Sequence, residues 1–484
     1  MSLGHAVGAY ADKLRDEATE YRQTRISHWA ENIERRSWGS YYHEQLEHVF
    51  RQVVPKGSTV LELGCGRGDL LAALEPSTGM GIDFCAETVH AAARLHPELE
   101  FVCADVQALN LGDRTFEYVI LSDLVNDLWD VQAVLERLQA HCGPETRLVL
   151  NVYSHLWEVP LRAAQRLGVA IPNLMQNWLT PHDMSNLLEI SGFQVLRKWE
   201  AIVAPLDVPI LSDFANRYLA KLSPFRQLAM VNFIVARPVR KPPIEKPTVS
   251  VIVAARNESG HIDELMERIP DMGSGTEIIF VEGNSKDDTY EAIERAIARN
   301  PARDCKLLKQ TGRGKGDAVR LGFDAAKGDI LMILDADITV PPEDLPRFFD
   351  LMANGSAEFV NGVRLVYPME NEAMRFANLV GNKFFAIAFT WLLGQPIRDT
   401  LCGTKVLWRR DYRKIAKNRE YFGDFDPFGD FDLVFGAARL NLKIQEVPVR
   451  YRARRYGETN ISRWTHGWLL LHMVVFAAKR LKFV

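Results

Sequence analysis

The sequence predicts two α/β domains in tandem. An apolar strand runs into a glycine-rich turn at Leu63 to Gly68, and a second apolar strand runs into two aspartates, Asp335 and Asp337. Between them lies a proline-rich stretch. A chain of 484 residues exceeds one ordinary hydrophobic core, so two cores are expected from length alone.

The composition is globular, with 47% hydrophobic and 25% charged residues. The net charge of -4 comes without a block of like charge, which disfavours a nucleic-acid partner. Six cysteines form no CxxC pair, which argues against a structural zinc site or a disulfide framework and fits a reducing cytoplasm. The first residues are polar and lack an apolar signal core. Two apolar runs, Phe384 to Gly394 and Trp468 to Ala478, fall short of the roughly 20 residues that cross a bilayer. They read as buried core helices. A sharper reading is peripheral contact with the cytoplasmic face of a membrane, aided by Lys479, Arg480 and Lys482.

The segment Arg237 to Thr248 holds four prolines and several charges. Proline fixes φ and lacks a backbone donor, so the stretch suits neither helix nor central strand. The expected division is a first domain at 1–238 with an N-terminal helical extension, a linker at 239–247 and a second domain at 248–484.

In the first domain, the strand Val60 to Leu63 meets Gly64, Gly66 and Gly68, and a helix follows. Glycine admits positive φ and lets a ligand approach the backbone, and the helix start favours a polar ligand. The GxGxG spacing is less typical of dinucleotide folds. Next comes GMGID, ending at Asp83 about twenty residues after the loop, where a carboxylate can accept ribose hydroxyls. FVCADV then carries Asp105, and FEYVILSDL carries Ser122 and Asp123.

The order LELGCGRGDL, GID, CADV and ILSDL resembles the class I S-adenosylmethionine-dependent methyltransferases. The resemblance implies a Rossmann-like fold and assigns Glu62, Gly64, Gly66, Gly68, Asp83, Asp105 and Val106 to the cofactor. It places Asp83 on the ribose and Asp105 near the adenine amine. It is nearly silent on the methyl acceptor; His155 and His182 lie where such folds build that pocket but are read as structural or exposed.

In the second domain, VSVIVAA runs into Asn257 and Glu258, EIIFVE ends at Glu282, and Lys315 sits in a glycine-rich turn. Ile330 to Leu334 is an apolar strand that ends on Asp335 and Asp337. Like charges one residue apart raise each other's pKa, and a divalent cation relieves this. Carboxylate oxygens suit Mg2+ or Mn2+, which bridges to a substrate diphosphate and steadies its departure as a Lewis acid. Transfer from such a diphosphate to a hydroxyl acceptor also needs a base away from the metal. FGDFDPFGDFDLV offers Asp424, Asp426, Asp430 and Asp432, with a helix beginning near Phe431. Arg450, Arg452, Arg454 and Arg455 form a basic cluster beyond it.

The set VSVIVAARNE, VEGNSKDDT, GRGKGDA, LDAD and DTLCGTKV resembles glycosyltransferase family 2, within it the enzymes that load a sugar onto polyprenyl phosphate. The resemblance implies a GT-A nucleotide-sugar-binding domain that inverts at the anomeric carbon. It assigns Asn257, Glu258, Glu282, Lys315, Asp335 and Arg454 to the nucleotide sugar, Asp335 and Asp337 to the metal, and Asp430 to the base, with Asp432 as the competing base. Three departures stand out. Glu282-Gly283 replaces an acidic pair, Asn460 replaces a commonly basic residue, and no long transmembrane helix is present.

The expected enzyme is bifunctional. It transfers methyl groups from S-adenosylmethionine, and sugar from a nucleoside diphosphate sugar to a glycan, polyprenyl-phosphate or small-molecule acceptor. Two rival readings remain. In one, a domain, more readily the second, only binds. In the other, the methyl acceptor is a small molecule unrelated to the sugar.

Overall fold

A computed structural model describes residues 3–32, 40–167, 174, 176–239, 245–364, 376–418, 431–450 and 463–483. The chain divides into two compact units, Met1–Val239 and Arg240–Val484.

The first unit is built on strands β1 (Thr59–Leu63), β2 (Thr78–Asp83), β3 (Glu100–Cys103), β4 (Phe116–Leu121), β5 (Cys142–Tyr153), β6 (Phe193–Ala201) and β7 (Val231–Pro238). Their order in the sheet is β3-β2-β1-β4-β5-β7-β6. The first five strands pair in parallel, and β7 runs antiparallel to both β5 and β6. Helices cover both faces, so the central strands are apolar on both sides. Side chains alternate along a strand. Leu61, Val119, Leu121 and Leu148 therefore pack on one face with Val134 and Met184, whereas Val60, Ile120 and Val149 pack on the other with Leu46 and Phe50. The chain order reverses between β1 and β4, which opens a crevice at their C-terminal ends.

The second unit repeats this logic with β8 (Val249–Ala255), β9 (Thr276–Glu282), β10 (Asp304–Lys309), β11 (Ile330–Asp335), β12 (Phe359–Val363), β13 (Lys405–Trp408) and β14 (Ile444–Pro448). The sheet order is β10-β9-β8-β11-β13-β12-β14, with β13 antiparallel between β11 and β12. Here the crevice lies between β8 and β11, and the β-branched run of β8 fits a strand buried on both faces.

Both apolar runs seen in the sequence are helical. They lie in the helices Phe376–Leu393 and Arg463–Leu481 and join the core through Phe385, Phe389, Leu392, Leu470, Met473 and Ala477. The Phe389 ring stacks on Phe435 at 5.4 Å. Phe384, Ile387, Trp468 and Val475 remain exposed on the same helices. Among the described residues, no helix is long and apolar enough to cross a membrane.

Candidate active sites

Three turns of backbone shape the first site. Gly64, Gly66 and Gly68 all have positive φ, at 70°, 52° and 76°. They differ in what surrounds them. A Cβ on Gly64 would press on Leu124, and one on Gly68 on the Phe101 ring, whereas a Cβ on Gly66 would meet open space. Gly66 is thus the point where the loop faces the crevice. Its N–H donates to Asp83 Oδ2 at 3.0 Å, and Cys85 N–H donates to Asp83 Oδ1 at 2.9 Å. Asp83 at the end of β2 therefore locks the loop to the neighbouring strand. Burial raises the Asp83 carboxyl pKa, and those backbone donors partly offset the rise. The helix opened by the loop is short, Asp69–Ala73. Glu62 is buried on β1 with its Oε2 lacking a hydrogen-bond partner, and burial pushes its pKa well up.

Asp105 departs from its expected setting. The strand ends at Cys103, and Asp105 instead caps the 3-10 turn Val106–Ala108, accepting from Gln107 N–H at 2.9 Å. Its other oxygen forms an ion pair at 2.6 Å with Arg22 from the helix Leu3–Asn32. Val106 is buried directly after it. The same N-terminal helix sets Arg25 at 3.5 Å from Asp127 and lays Tyr21 edge-on to Trp129. It therefore crosses the crevice end of the sheet, a placement that no local sequence pattern signals.

Asp123 is the residue whose setting the sequence most understates. It lies two residues past β4 with φ +52°, a conformation that aspartate tolerates better than most side chains. Its carboxylate accepts from the Tyr42 hydroxyl at 3.0 and 3.1 Å and from Asn151 Nδ2, while its own N–H donates to Asn151 Oδ1 at 3.0 Å. Burial raises its pKa. Leu124, next in sequence, packs on Gly64, so this polar cluster stands beside the glycine loop. His155 lies at 5.7 Å from the Trp178 ring, and His182 sits in the first turn of the helix Pro181–Ile190.

In the second unit, Asn257 and Glu258 follow β8 and knit it to the loop after β9. Asn257 N–H donates to Ser285 Oγ at 3.0 Å, and Lys286 N–H returns to Asn257 Oδ1 at 2.8 Å. Glu258 is buried against His261 Nδ1 at 2.9 Å, and Glu282 at the end of β9 accepts from Ser285 N–H at 2.5 Å.

Asp335 closes β11. Lys315, the first residue of the helix Lys315–Ala325, reaches it at 2.5 Å. Burial alone would raise the Asp335 pKa, but Lys315, Lys405 and Arg364 outweigh that and hold it below the usual value. Asp337 Oδ1 accepts from Thr339 N–H at 3.2 Å and from its hydroxyl at 2.8 Å.

The DTLCGTKV segment wraps this pair. Gly403 abuts Asp335 and Lys315 so closely that a Cβ would collide with both. Lys405 is fully buried and donates to Cys402 O at 2.6 Å. Asp399, also fully buried, takes a two-pronged contact from Arg364 at 2.7 and 2.8 Å. Among the described residues, no three His, Cys, Asp or Glu side chains cluster as a closed metal cage. Asp432 is buried in the first turn of the helix Phe431–Arg439. Asp424, Asp426, Asp430, Arg452, Arg454, Arg455 and Asn460 lie outside the described residues. Arg450 comes after β14 has ended at Pro448.

Each unit thus carries a crevice edged by carboxylates and close backbone. Residues 21–198 match a methyltransferase domain, and residues 250–431 match glycosyl transferase family 2. The chain therefore joins a methyltransferase domain to a family 2, GT-A glycosyltransferase domain and is an enzyme with both activities. Glycosyltransferase AglJ of Haloferax volcanii is 27% identical over 46% of this chain and 69% of its own length. The dolichol-phosphate mannosyltransferase of Pyrococcus furiosus is 34% identical, but the match covers only 22% of this chain and 31% of that protein. A solved glucosyl-3-phosphoglycerate synthase from Mycobacterium tuberculosis, in complex with Mn2+ and UDP, is 21% identical over 49% of this chain and 80% of that one, with a TM-score of 0.36.

Proposed function

We propose that the first domain, 1–238, transfers a methyl group from S-adenosylmethionine, and that the second, 248–484, transfers a sugar with inversion from a nucleoside diphosphate sugar. Residues 239–247 serve as the linker, and the enzyme works in the cytoplasm. The observation that supports this best is the shared placement of polar groups at both crevices: Asp83 on Gly66 in one, Asp335 beside Lys315 and Gly403 in the other.

The residues present suit an adenosyl cofactor. Gly66 leaves open space for it, the unpartnered Glu62 oxygen offers an acceptor to its amine, and Asp83 retains lone pairs for ribose hydroxyls. Asp105 and Val106 would flank the adenine, with Arg22 holding the carboxylate in place. S-adenosylmethionine, when bound, supplies an electrophilic methyl group, and the chain's task is to align an acceptor with it. Asp123, held by Tyr42 and Asn151, is the carboxylate we place on the acceptor side.

The second site suits Mg2+ or Mn2+ held by Asp335 and Asp337, with remaining ligands from the donor diphosphate. The ion would stabilise charge on the leaving diphosphate. Lys315 adds a cation at the same place, and Arg454 a phosphate contact. Asn257, Glu258 and Glu282 shape the nucleotide side. Asp430 is the base toward the acceptor, and Asp432 its alternative. Relatives that load polyprenyl phosphate make such a lipid phosphate or its glycan the first acceptor class to try.

The test is thermal unfolding of the full chain. S-adenosylhomocysteine should raise one transition, and a nucleoside diphosphate sugar with Mn2+ should raise the other. A panel of both that moves neither transition would overturn the reading.

A further inference from the structure

We propose that the first unit docks on an anionic lipid bilayer through an outward apolar face formed by residues 206–228. This rests on neither active-site assignment. The short helix Leu211–Arg217 is amphipathic in the inverted sense. Its buried residues are Ser212, Ala215 and Asn216, while Leu211 and Phe214 face solvent. Ile210, Leu211 and Leu228 are 86%, 62% and 54% exposed, with Phe225 and Leu222 exposed between them.

The inward side is held by polar contacts. Ser212 Oγ donates to Leu206 O at 2.6 Å and accepts from Val208 N–H at 3.1 Å. Asn216 Oδ1 accepts from the N–H groups of Val203 and Ala204, both at 2.9 Å, and its Nδ2 donates to Ala204 O at 2.8 Å. Ile210 has φ +67°, a conformation β-branched residues avoid, and it turns its side chain out. The surrounding contacts hold that strained turn in place. Apolar residues are thus presented outward by construction, and an exposed apolar patch of this kind marks an interaction surface.

Charge selects the occupant. Residues 205–228 carry Arg217, Lys221 and Arg226 against Asp207 and Asp213, in a chain whose net charge is -4. The Asp213 carboxylate is engaged by the Tyr41 hydroxyl at 2.8 Å. Trp157 Nε1 donates to Leu228 O at 2.9 Å, which sets the helix Glu158–Arg166 beside the patch, with Arg166 exposed and Arg162 ion-paired to Glu158 at 2.6 Å. Apolar residues flanked by the exposed Arg166, Arg217 and Arg226 fit the interface of an acidic bilayer. A second copy is the rival occupant, and the oligomeric state below separates the two. Tyr41 ties the patch to the helix Ser40–Val53, and the adjacent Tyr42 holds Asp123 in the crevice. Docking there brings the lipid surface alongside the Asp123 end of the first crevice.

The experiment is co-sedimentation of the full chain with vesicles of phosphatidylcholine containing about one third phosphatidylglycerol, against phosphatidylcholine alone. The wild-type chain should bind the acidic vesicles and release as salt rises. The triple variant Ile210→Asn, Leu211→Ser, Phe214→Ser should lower partitioning about 100-fold or more while keeping the wild-type circular dichroism. Ile387→Ser with Trp468→Ser, in the other unit, should leave binding near wild type. Unchanged binding by the triple variant, or loss only in the second-unit variant, overturns the proposal. So does a dimer, seen by sedimentation velocity, that the triple variant dissolves while wild type ignores vesicles. Should the triple variant fail to fold, a polarity-sensitive dye on Ile210→Cys decides: its emission should shift blue with acidic vesicles, and no shift overturns the proposal.

Discussion

Asp83 holds the glycine loop, and we propose that the same carboxylate also takes a ribose. Its contacts with Gly66 and Cys85 hold the glycine loop, so removal affects the loop as well as any ribose. We expect Asp83→Ala to weaken S-adenosylhomocysteine binding about 10-fold or more, measured by calorimetry. Unchanged affinity would remove Asp83 from the site. Asp337 and Asp430 should fail differently. Losing Asp337 should weaken donor binding and alter metal dependence. Asp430→Asn should slow sugar transfer on the order of 100- to 10,000-fold with donor affinity kept. Near-normal turnover in that variant would move the base to Asp432. The positions of the glycine loop, Asp83, Asp335 and Asp337 are legible in sequence because each ends or closely follows an apolar strand. The position of Asp123 is legible in the same way but its setting is not, because its partners Tyr42 and Asn151 lie on other elements and no local pattern pairs them.

At the scale of elements, the segment between β12 and β13 shows what holds the second crevice together. Asp399, fully buried, is paired with a partly buried Arg364. Burial by itself would raise the Asp399 pKa, but the Arg364 guanidinium and backbone donors hold it below the usual carboxylate value. A depressed folded pKa contributes stability above the unfolded value, and that stability is lost as pH falls through the folded one. Asp399→Asn should therefore destabilise the second unit by about 2 kcal/mol at neutral pH, since Arg364 loses its two-pronged carboxylate partner. The gap from wild type should narrow in acid, as urea unfolding at each pH would show. A gap independent of pH would count against the pair. Strands and their order of appearance were readable from apolar runs and turn residues. The inverted helix Leu211–Arg217 was not, because a 3.6-residue apolar pattern says which residues share a face but not which way that face points.

For the whole molecule, two cores joined through a proline-rich stretch should separate. A break at Pro242 should leave two fragments, each with a cooperative unfolding transition. Two fragments without such transitions would show that the units depend on each other for folding. The existence of two cores could be read from length and linker composition. The path of the helix Leu3–Asn32 could not, because Arg22 and Asp105 are joined only by the fold. Gly403 carries one further consequence. It has no functional group, yet any side chain there would collide with the Asp335–Lys315 pair. In a saturation scan of the chain scored for sugar transfer, position 403 should tolerate substitution as poorly as Asp335 itself. A map of mutational tolerance would then mark as indispensable a residue whose whole contribution is a missing carbon atom.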